Sequence, residues 1–354
     1  MKIINKATVG LFIFLLAALA ACEAKESADP TLSAAPSLYP VLDSGVWADW
    51  NTFDGVKWID NNRILFVGGP DEPGRKHPQL RNASVWEIGK GVTVLSKAVQ
   101  HVGICTHDGF LAYTLTYDKT KTERFEGKFG QERIFTPPTE KNASRRWMDC
   151  RFHASSISNE KLEGPRQHKL TFLLYSHGYL DYGPRNIDRP LGKKGDPILY
   201  YRTGQKEPVS LPITNEGIRH ADYYPFKDAY FIHPFASNYS TWWLYPDGRM
   251  EEIKYPTLPK LLVQGTFFPI RKGFFIYYYD GRPPSFKVPG NTGGYLVAED
   301  GKSSKVISGY LNGISVSPDG CKVAFTHYPY LDATRIDDPG RVTLKAINLC
   351  AEEK

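Results

Sequence analysis

The side chains of this 354-residue chain that are equipped for chemistry are few and widely spaced. Six polar residues, Asp54, His101, Arg146, His220, Gln264 and Asn312, each stand just ahead of a short apolar run. If those runs are equivalent strands, the six share one position in a repeat and ring a common opening. Carboxylate, imidazole, guanidinium and amide groups there would hydrogen-bond a small or extended polar ligand. An imidazole beside a carboxylate is also the minimum for acid–base cleavage of a polysaccharide. His101, His220 and Gln264 also suit a divalent ion, but no His-x-His or His-Glu-x-x-His spacing accompanies them, and no metal is expected. Ser176 and His177 are neighbours in a run that reads as a strand, so their side chains would face opposite ways. The sequence holds no Gly-x-Ser-x-Gly elbow and no Gly-rich phosphate loop; neither a catalytic residue nor a cofactor is assigned. Arg185, Arg189 and Lys194 lie in a stretch that reads as a connection, where they would make charge-assisted contacts with a partner.

The elements that must position these residues are short β-strands. The stretch "ISVSPDGCKVAFTH", Ile314 to His327, is a strand, a Ser-Pro-Asp-Gly turn and a second strand. Pro318 presets φ, Asp319 bonds its own backbone and Gly320 allows the positive φ of a tight turn. The pattern recurs at "VKWIDNNRILFVGG" from Val56, "VGICTHDGFLAYTL" from Val102, "DYYPFKDAYFIHPF" from Asp222 and "TFFPIRKGFFIYYY" from Thr266. Successive apolar second strands stand about 45 residues apart with one larger gap, the period of a propeller blade. The gap holds a sixth copy, "WMDCRFHAS" from Trp147 and "LTFLLYS" from Leu170, separated by a polar insert from Ser155 to Lys169. Third strands follow at Ser84, Ile198, Thr241, Gly294 and Val342. The count is six four-stranded blades, the last short of one strand. Leu38 to Trp47 is expected to supply it, because a ring closed by both chain segments exposes no edge.

The Ser-Pro-Asp-Gly turn at this period resembles the WD40-like, TolB-type β-propellers over roughly Leu38 to Cys350, although only the last repeat carries the full turn. The resemblance implies an all-β, six-bladed propeller in residues 38–354. The α/β domain that precedes the propeller in that family has no counterpart here, so its partners are not carried over. In such blades the first strand runs along the central channel, and the loops leading into it share a face with the second-to-third connections. Five of these read as long: Gly69 to Ala83, Asp118 to Gln131, Pro184 to Pro197, Asp280 to Gly293 and Tyr328 to Arg341. Long loops are less common than short ones, so five on one side mark the expected working face. The function expected is a protein- or glycan-binding module; the alternative is a polysaccharide lyase or glycoside hydrolase using the channel-mouth His and carboxylate groups.

Lys2 and Lys6 precede an uncharged run from Val9 to Ala21, too short to span a bilayer but suited to a signal peptide. It ends Leu19-Ala20-Ala21-Cys22, which looks like the lipobox of bacterial lipoproteins. That likeness implies a signal peptide over residues 1–21, a lipid on Cys22, and a membrane as partner. Glu23, in place of the Asp associated with inner-membrane retention, implies the outer membrane, facing the periplasm or the exterior. Residues 22–37 are small, polar and Pro-containing, as a disordered tether would be. Removing residues 1–21 takes away two Lys and no acid, leaving 42 basic against 38 acidic residues. That balance is too even to argue for nucleic acid. Export permits disulfides. Cys321 begins the second strand of the last blade and Cys350 ends the third; antiparallel pairing sets them side by side, and a bridge is expected. Cys105 and Cys150, on inner strands of neighbouring blades, are not assigned to one. The anchor makes the first prediction: Cys22→Ser protein is released from membranes or stalls unprocessed, seen as altered fractionation and gel mobility. Unchanged membrane association and mobility would overturn the lipobox reading.

Overall fold

The chain divides into two units, Met1–Ala34 and Ala35–Lys354. The computed structural model describes residues 39–49, 56–70, 81–99, 101–107, 110–116, 122–128, 130, 133–135, 155–161, 167–174, 177–186, 195–214, 218–234, 241–254, 258–280, 290–328 and 342–351, all in the second unit. Nearly every element is a strand, beginning with β1 (Val41–Ala48). An antiparallel meander follows in β2 (Val56–Trp58), β3 (Arg63–Gly69), β4 (Arg81–Glu87) and β5 (Gly91–Val99). The next comprises β6 (His101–His107), β7 (Phe110–Thr116), β8 (Thr122–Lys128) and β9 (Arg133–Phe135). A five-stranded sheet contains β10 (Ser155–Lys161), β11 (Gln167–Leu174), β12 (Gly178–Asn186), β13 (Pro197–Arg202) and β14 (Val209–Thr214). Then come β15 (Ile218–Tyr224), β16 (Ala229–Pro234), β17 (Thr241–Leu244) and β18 (Met250–Ile253). After them stand β19 (Thr266–Ile270), β20 (Gly273–Tyr278), β21 (Gly293–Ala298) and β22 (Ser303–Ser308). The last three are β23 (Tyr310–Val316), β24 (Lys322–Tyr328) and β25 (Thr343–Asn348). Among the described residues no helix is long and apolar enough to cross a membrane.

β1 completes the last sheet. It runs antiparallel to β25, with Val41 opposite Ile347, Leu42 opposite Ala346 and Asp43 opposite Lys345. The outer strand expected from Leu38 to Trp47 is therefore in place, shifted by a few residues. The same strand continues into the first meander, where Trp47 and Ala48 pair with Gly69 and Gly68 of β3. Gly68 is needed for that approach: a Cβ there, at φ +137°, would lie 2.3 Å from the Trp47 carbonyl oxygen. Just past the strand, the buried Asp49 carboxylate pairs with Arg81 of β4. On its other side β25 is held by β24 and by the Cys321–Cys350 disulfide, whose Cα atoms stand 5.0 Å apart. A bridge closing a loop of this length is worth roughly 3 kcal/mol.

The middle strands explain why the sequence shows apolar runs rather than alternation. β3 and β4 are buried along nearly their whole length, so both faces of these strands are covered. One apolar cluster joins Ile270, Phe275 and Leu296 to Leu311, Val323, Phe325 and Ile347 of the last sheet. A second joins Leu174, Leu180 and Tyr200 to Tyr230, Ile232 and Leu244. A third joins Phe66, Trp58 and Trp86 to Ala324, Leu344 and Ala346. Aromatic rings fill these seams: Phe275 stacks on Phe325 with centroids 6.2 Å apart, and Trp243 meets Phe231 edge-on at 5.4 Å. Each such ring contributes about 1.5–3 kcal/mol on burial.

Several expectations are corrected. Leu170 to Leu174, expected as a second strand, belongs to β11, which three further strands follow. The insert from Ser155 to Lys169 carries β10 and the start of β11. The chain reverses at His177, whose N–H bonds the Leu174 carbonyl at 2.8 Å, so His177 sits in a turn and not on a strand beside Ser176. "GYLDYGPRN" forms β12, so the connection expected from Pro184 to Pro197 begins only after Asn186. Gly178, at φ +128°, is required there, since a Cβ would lie 1.9 Å from the Tyr201 carbonyl oxygen. Arg185 consequently pairs with His168 on β12 rather than lying in a connection. In the second meander, the supposed connection from Asp118 to Gln131 contains β8, leaving only residues 117–121 between β7 and β8. The pairing at Gly68 makes the second prediction. Gly68→Ala costs about 2–3 kcal/mol in urea unfolding through strain and backbone collision. Gly89→Ala, also at positive φ but with nothing within 4 Å, costs about 1 kcal/mol.

Candidate functional site

The two ends of the meanders are used differently. At one end, tight turns bond to one another. In the Ser317–Gly320 turn the Ser317 hydroxyl donates to Asp319 Oδ1 at 2.5 Å, and that carboxylate accepts the Cys321 N–H at 3.0 Å. The Ser317 hydroxyl oxygen also accepts the Lys322 N–H at 2.8 Å, so the motif's polar residues serve the turn itself. The turn then reaches its neighbours. Arg271 donates its backbone N–H to Gly320 O and its Nε–H to Asp319 O, both at 2.9 Å. Asn61 Oδ1 accepts the Asp319 N–H at 2.9 Å, and Lys322 Nζ donates to Asn61 O at 3.0 Å. Phe226 lies so near Gly320 that a Cβ there would stand 2.7 Å from its ring. Four sheets thus meet at one turn.

The same end joins the third and fourth sheets. The buried Tyr200 hydroxyl donates to Pro246 O at 3.1 Å, and Arg202 donates to Asp247 O at 2.8 Å. His177 Nδ1 meets the Tyr230 hydroxyl at 2.7 Å. Burial lowers the His177 pKa while the Asp228 carboxylate opposes the shift. These contacts tie sheets together rather than frame a cleft.

The other end carries long connections after β3, β12, β20 and β24. Between the fifth and sixth sheets it presents a defined cluster. The 3-10 turn Leu262–Gln264 leads into β19 and presses on β20 so closely that a Cβ on Gly265 would lie 2.4 Å from Ile276 Cγ2. Thr266 pairs with Tyr277, and Gln264 stands two residues ahead of that pair, at the end of the 3-10 turn. The Tyr277 hydroxyl hydrogen-bonds the backbone of Leu311, and burial pushes it up to about 12. The Tyr279 ring stands 5.4 Å from that of Tyr310, the first residue of β23. Burial and the hydrogen bond to Tyr279 push the Tyr310 hydroxyl above its ordinary value.

Thr292 fixes this arrangement from beneath. Its side chain is buried; its hydroxyl donates to Asp280 Oδ1 at 3.0 Å and accepts the Asp280 N–H at 3.2 Å. Its carbonyl accepts the Gly309 N–H at 3.2 Å, so one residue links the strand leaving towards Asp280 with the one arriving at Tyr310. Lys305 Nζ donates to Gly290 O at 2.9 Å, and Tyr295 donates to Asn291 O at 2.5 Å. Burial lowers the Lys305 pKa against the opposing pull of Asp280. On the far side His327 donates from Nε2 to the Ser308 carbonyl at 2.8 Å, two residues before Tyr310. His327 is 4% exposed, and its Nδ1 is buried with no hydrogen-bond partner.

Of the sequence-expected ring, Gln264 is exposed at the end of its 3-10 turn. Asn312 lies inside β23 opposite Thr326, whose hydroxyl donates to its carbonyl at 3.1 Å. His101 opens β6 opposite Thr116, and His220 is the third residue of β15, opposite His233. Only the strand positions of these two are described, and Asp54, Arg146, Arg189, Lys194, Cys22, Cys105's side chain and Cys150 lie outside the described residues. Among the described residues no three His, Cys, Asp or Glu side chains group as a metal site. The sequence lets Tyr277-Tyr278-Tyr279 be read either as sugar-stacking rings or, as is commoner for such runs, as packing between blades, and it does not single out Tyr310 or Asp280. Tyr278 indeed packs, 8% exposed, but Tyr279 falls beyond the strand's last residue and is 51% exposed.

No family model matches the chain, and no curated protein matches it. Among solved structures, TolB from Acinetobacter baumannii is 11% identical at a TM-score of 0.36, with 84% of this chain and 65% of that chain covered. TolB from Agrobacterium tumefaciens is 13% identical at 0.36, covering 79% and 93%. YCF48, solved bound to a D1 peptide, is 10% identical at 0.42, covering 89% and 99%. The chain thus spans just under two thirds of the Acinetobacter protein's length. The likeness is to TolB-like β-propellers and, at TM-scores below 0.5, concerns fold alone; the chemistry of the site comes from this chain's own residues.

His327 makes the third prediction. Burial, with a smaller push from Lys345, lowers its pKa to about 4, while the Ser308 carbonyl and Asp43 act in the other direction. The folded value lies below the unfolded one of about 6.5, so neutral His327 stabilises the fold fully above pH ~6.5 and the contribution disappears as pH falls through ~4, about 3 kcal/mol in all. Urea unfolding of wild type and His327→Gln at pH 7.5 and pH 4 should show a smaller pH-dependent loss in the variant. Equal losses would remove His327 from the pH response.

Proposed function

We propose that residues 38–354 form a six-bladed β-propeller whose last blade takes β1 as its outer strand. A lipid on Cys22 and the tether of residues 22–37 hold it at the bacterial envelope, at the outer membrane. There it acts as a module that binds an envelope protein or glycan through the end bearing the long connections. The observation that supports this reading is the contrast between the two ends. The tight turns spend their polar groups on one another, at Asn61, Arg271 and Asp319, whereas the opposite end sets an exposed tyrosine, a carboxylate and an amide on a buried hydrogen-bonded base. Binding sites need such rigid support beneath adaptable connections.

The binding end is tested with charge. Replacing Arg185, Arg189 and Lys194 together by Ala should weaken recovery of envelope partners by about tenfold through lost charge-assisted contacts, with thermal stability unchanged. Replacing Lys90 and Lys302, which sit exposed in tight turns beside Glu87 and Asp300, should leave recovery as in wild type. Equal loss from both sets would overturn the assignment of the working end.

A further inference from the structure

Three large hydrophobic side chains among the described residues are well exposed: Val41, Val263 and Tyr279. Two of them lie on adjoining elements, because the 3-10 turn holding Val263 packs against β20, whose end leads into Tyr279. Tyr279 is 51% exposed and Val263 43%, and the Tyr310 ring extends the same apolar surface at 5.4 Å. Asp280 follows Tyr279 in the chain and acts electrostatically on Tyr310, and Gln264 is exposed at the end of the 3-10 turn. Asp280 accepts a hydrogen bond from Thr292, and a carboxylate offers about four acceptor positions in all.

We infer that Tyr279 and Tyr310 form a stacking subsite for the pyranose rings of an uncharged oligosaccharide, with Asp280 and Gln264 bonding its hydroxyl groups. This deepens the proposed binding function and rests on the long-connection end being the working one. A pyranose with equatorial substituents offers a flat C–H face and a rim of hydroxyls. An open tyrosine face flanked by an acceptor and an amide matches that distribution. A protein anchor would instead require a pocket closed around the ring to exclude water. Thr292 and His327 act as positioning residues: the first ties Asp280 to Gly309, and the second holds Ser308, so the two rings keep their spacing without the ligand. Such preorganisation reduces the ordering cost of binding. Charge narrows the ligand further. The Asp280 carboxylate repels an acidic sugar, while the Lys305 ammonium is engaged by Gly290 O and half-buried.

The test is calorimetric titration of the full-length protein in detergent with cellohexaose, chitohexaose and hexagalacturonate. Binding of at least one neutral hexasaccharide is expected, with hexagalacturonate weaker. Tyr279→Ala should weaken the neutral sugar about tenfold, Tyr279→Phe should stay within about twofold because the ring is kept, and Val41→Ala should match wild type. Tyr279 and Val41 are exposed, so all three variants fold. No binding of either neutral sugar at millimolar concentration, tighter binding of hexagalacturonate, or unchanged affinity in Tyr279→Ala each overturns the inference. If these fail while the Arg185, Arg189 and Lys194 substitutions still reduce partner recovery, the binding end stands and the sugar does not.

Discussion

The antiparallel pairing of β1 with β25 is the constraint on which the remaining structure depends. Without it β25 would present a row of open N–H and C=O groups, and the apolar seam between the last and first sheets would lose one wall. The strand meets both neighbours at once because it is long enough to leave β25 and reach β3. Gly68 allows the backbones to close without a side chain between them. Asp49 then fixes the exit of the strand on Arg81. A buried pair of this kind adds little over an apolar contact, but loss of either partner would strand a charge, so it specifies register more than it stabilises. The paired segments lie about 300 residues apart, so closure comes late in folding and the loop-closure entropy is offset only when the whole series of sheets is present.

The two ends of the meanders follow from the same geometry. Turns at the inner strands converge, and convergence brings polar turn residues into hydrogen-bond range of one another. Asn61, Arg271 and Asp319 satisfy the turn backbone across three sheets, each bond worth about 1 kcal/mol net. At the other end the connections span from second to third strands. Support has to come from below, and Thr292, Lys305 and His327 provide it with bonds to backbone carbonyls and to Asp280. The cost is a buried imidazole with one unpaired nitrogen, which holds the base neutral at ordinary pH and links this region to acid.

Repeat, strand order and turn chemistry were legible in the sequence because they are local. Ser317-Pro318-Asp319-Gly320 specifies its turn through its own side chains, and the apolar runs at Ile64 and Val323 mark strands buried on both faces. The Cys321–Cys350 bridge was legible too, since a hairpin's register places the start of one strand beside the end of the next. Strands without an apolar signature were not: β8 alternates charge with aromatic and glycine residues and lay within an expected connection, as did residues 184–186 at the end of β12. Their strand form is imposed by neighbours, as the 1.9 Å approach at Gly178 shows. The candidate site was only partly legible. Gln264 could be placed by aligning repeats, but whether a tyrosine in "YYYD" packs or faces solvent depends on where β20 stops, and Thr292 acquires its role through Asp280 and Gly309, which other strands bring to it. The sequence by itself therefore determined the repeating sheets, the turns and the disulfide, each a matter of neighbours in the chain. Only the tertiary structure decided which end is occupied by turn-to-turn bonding and which side chains are set out on the other, because both depend on distances between strands that the chain separates by tens to hundreds of residues.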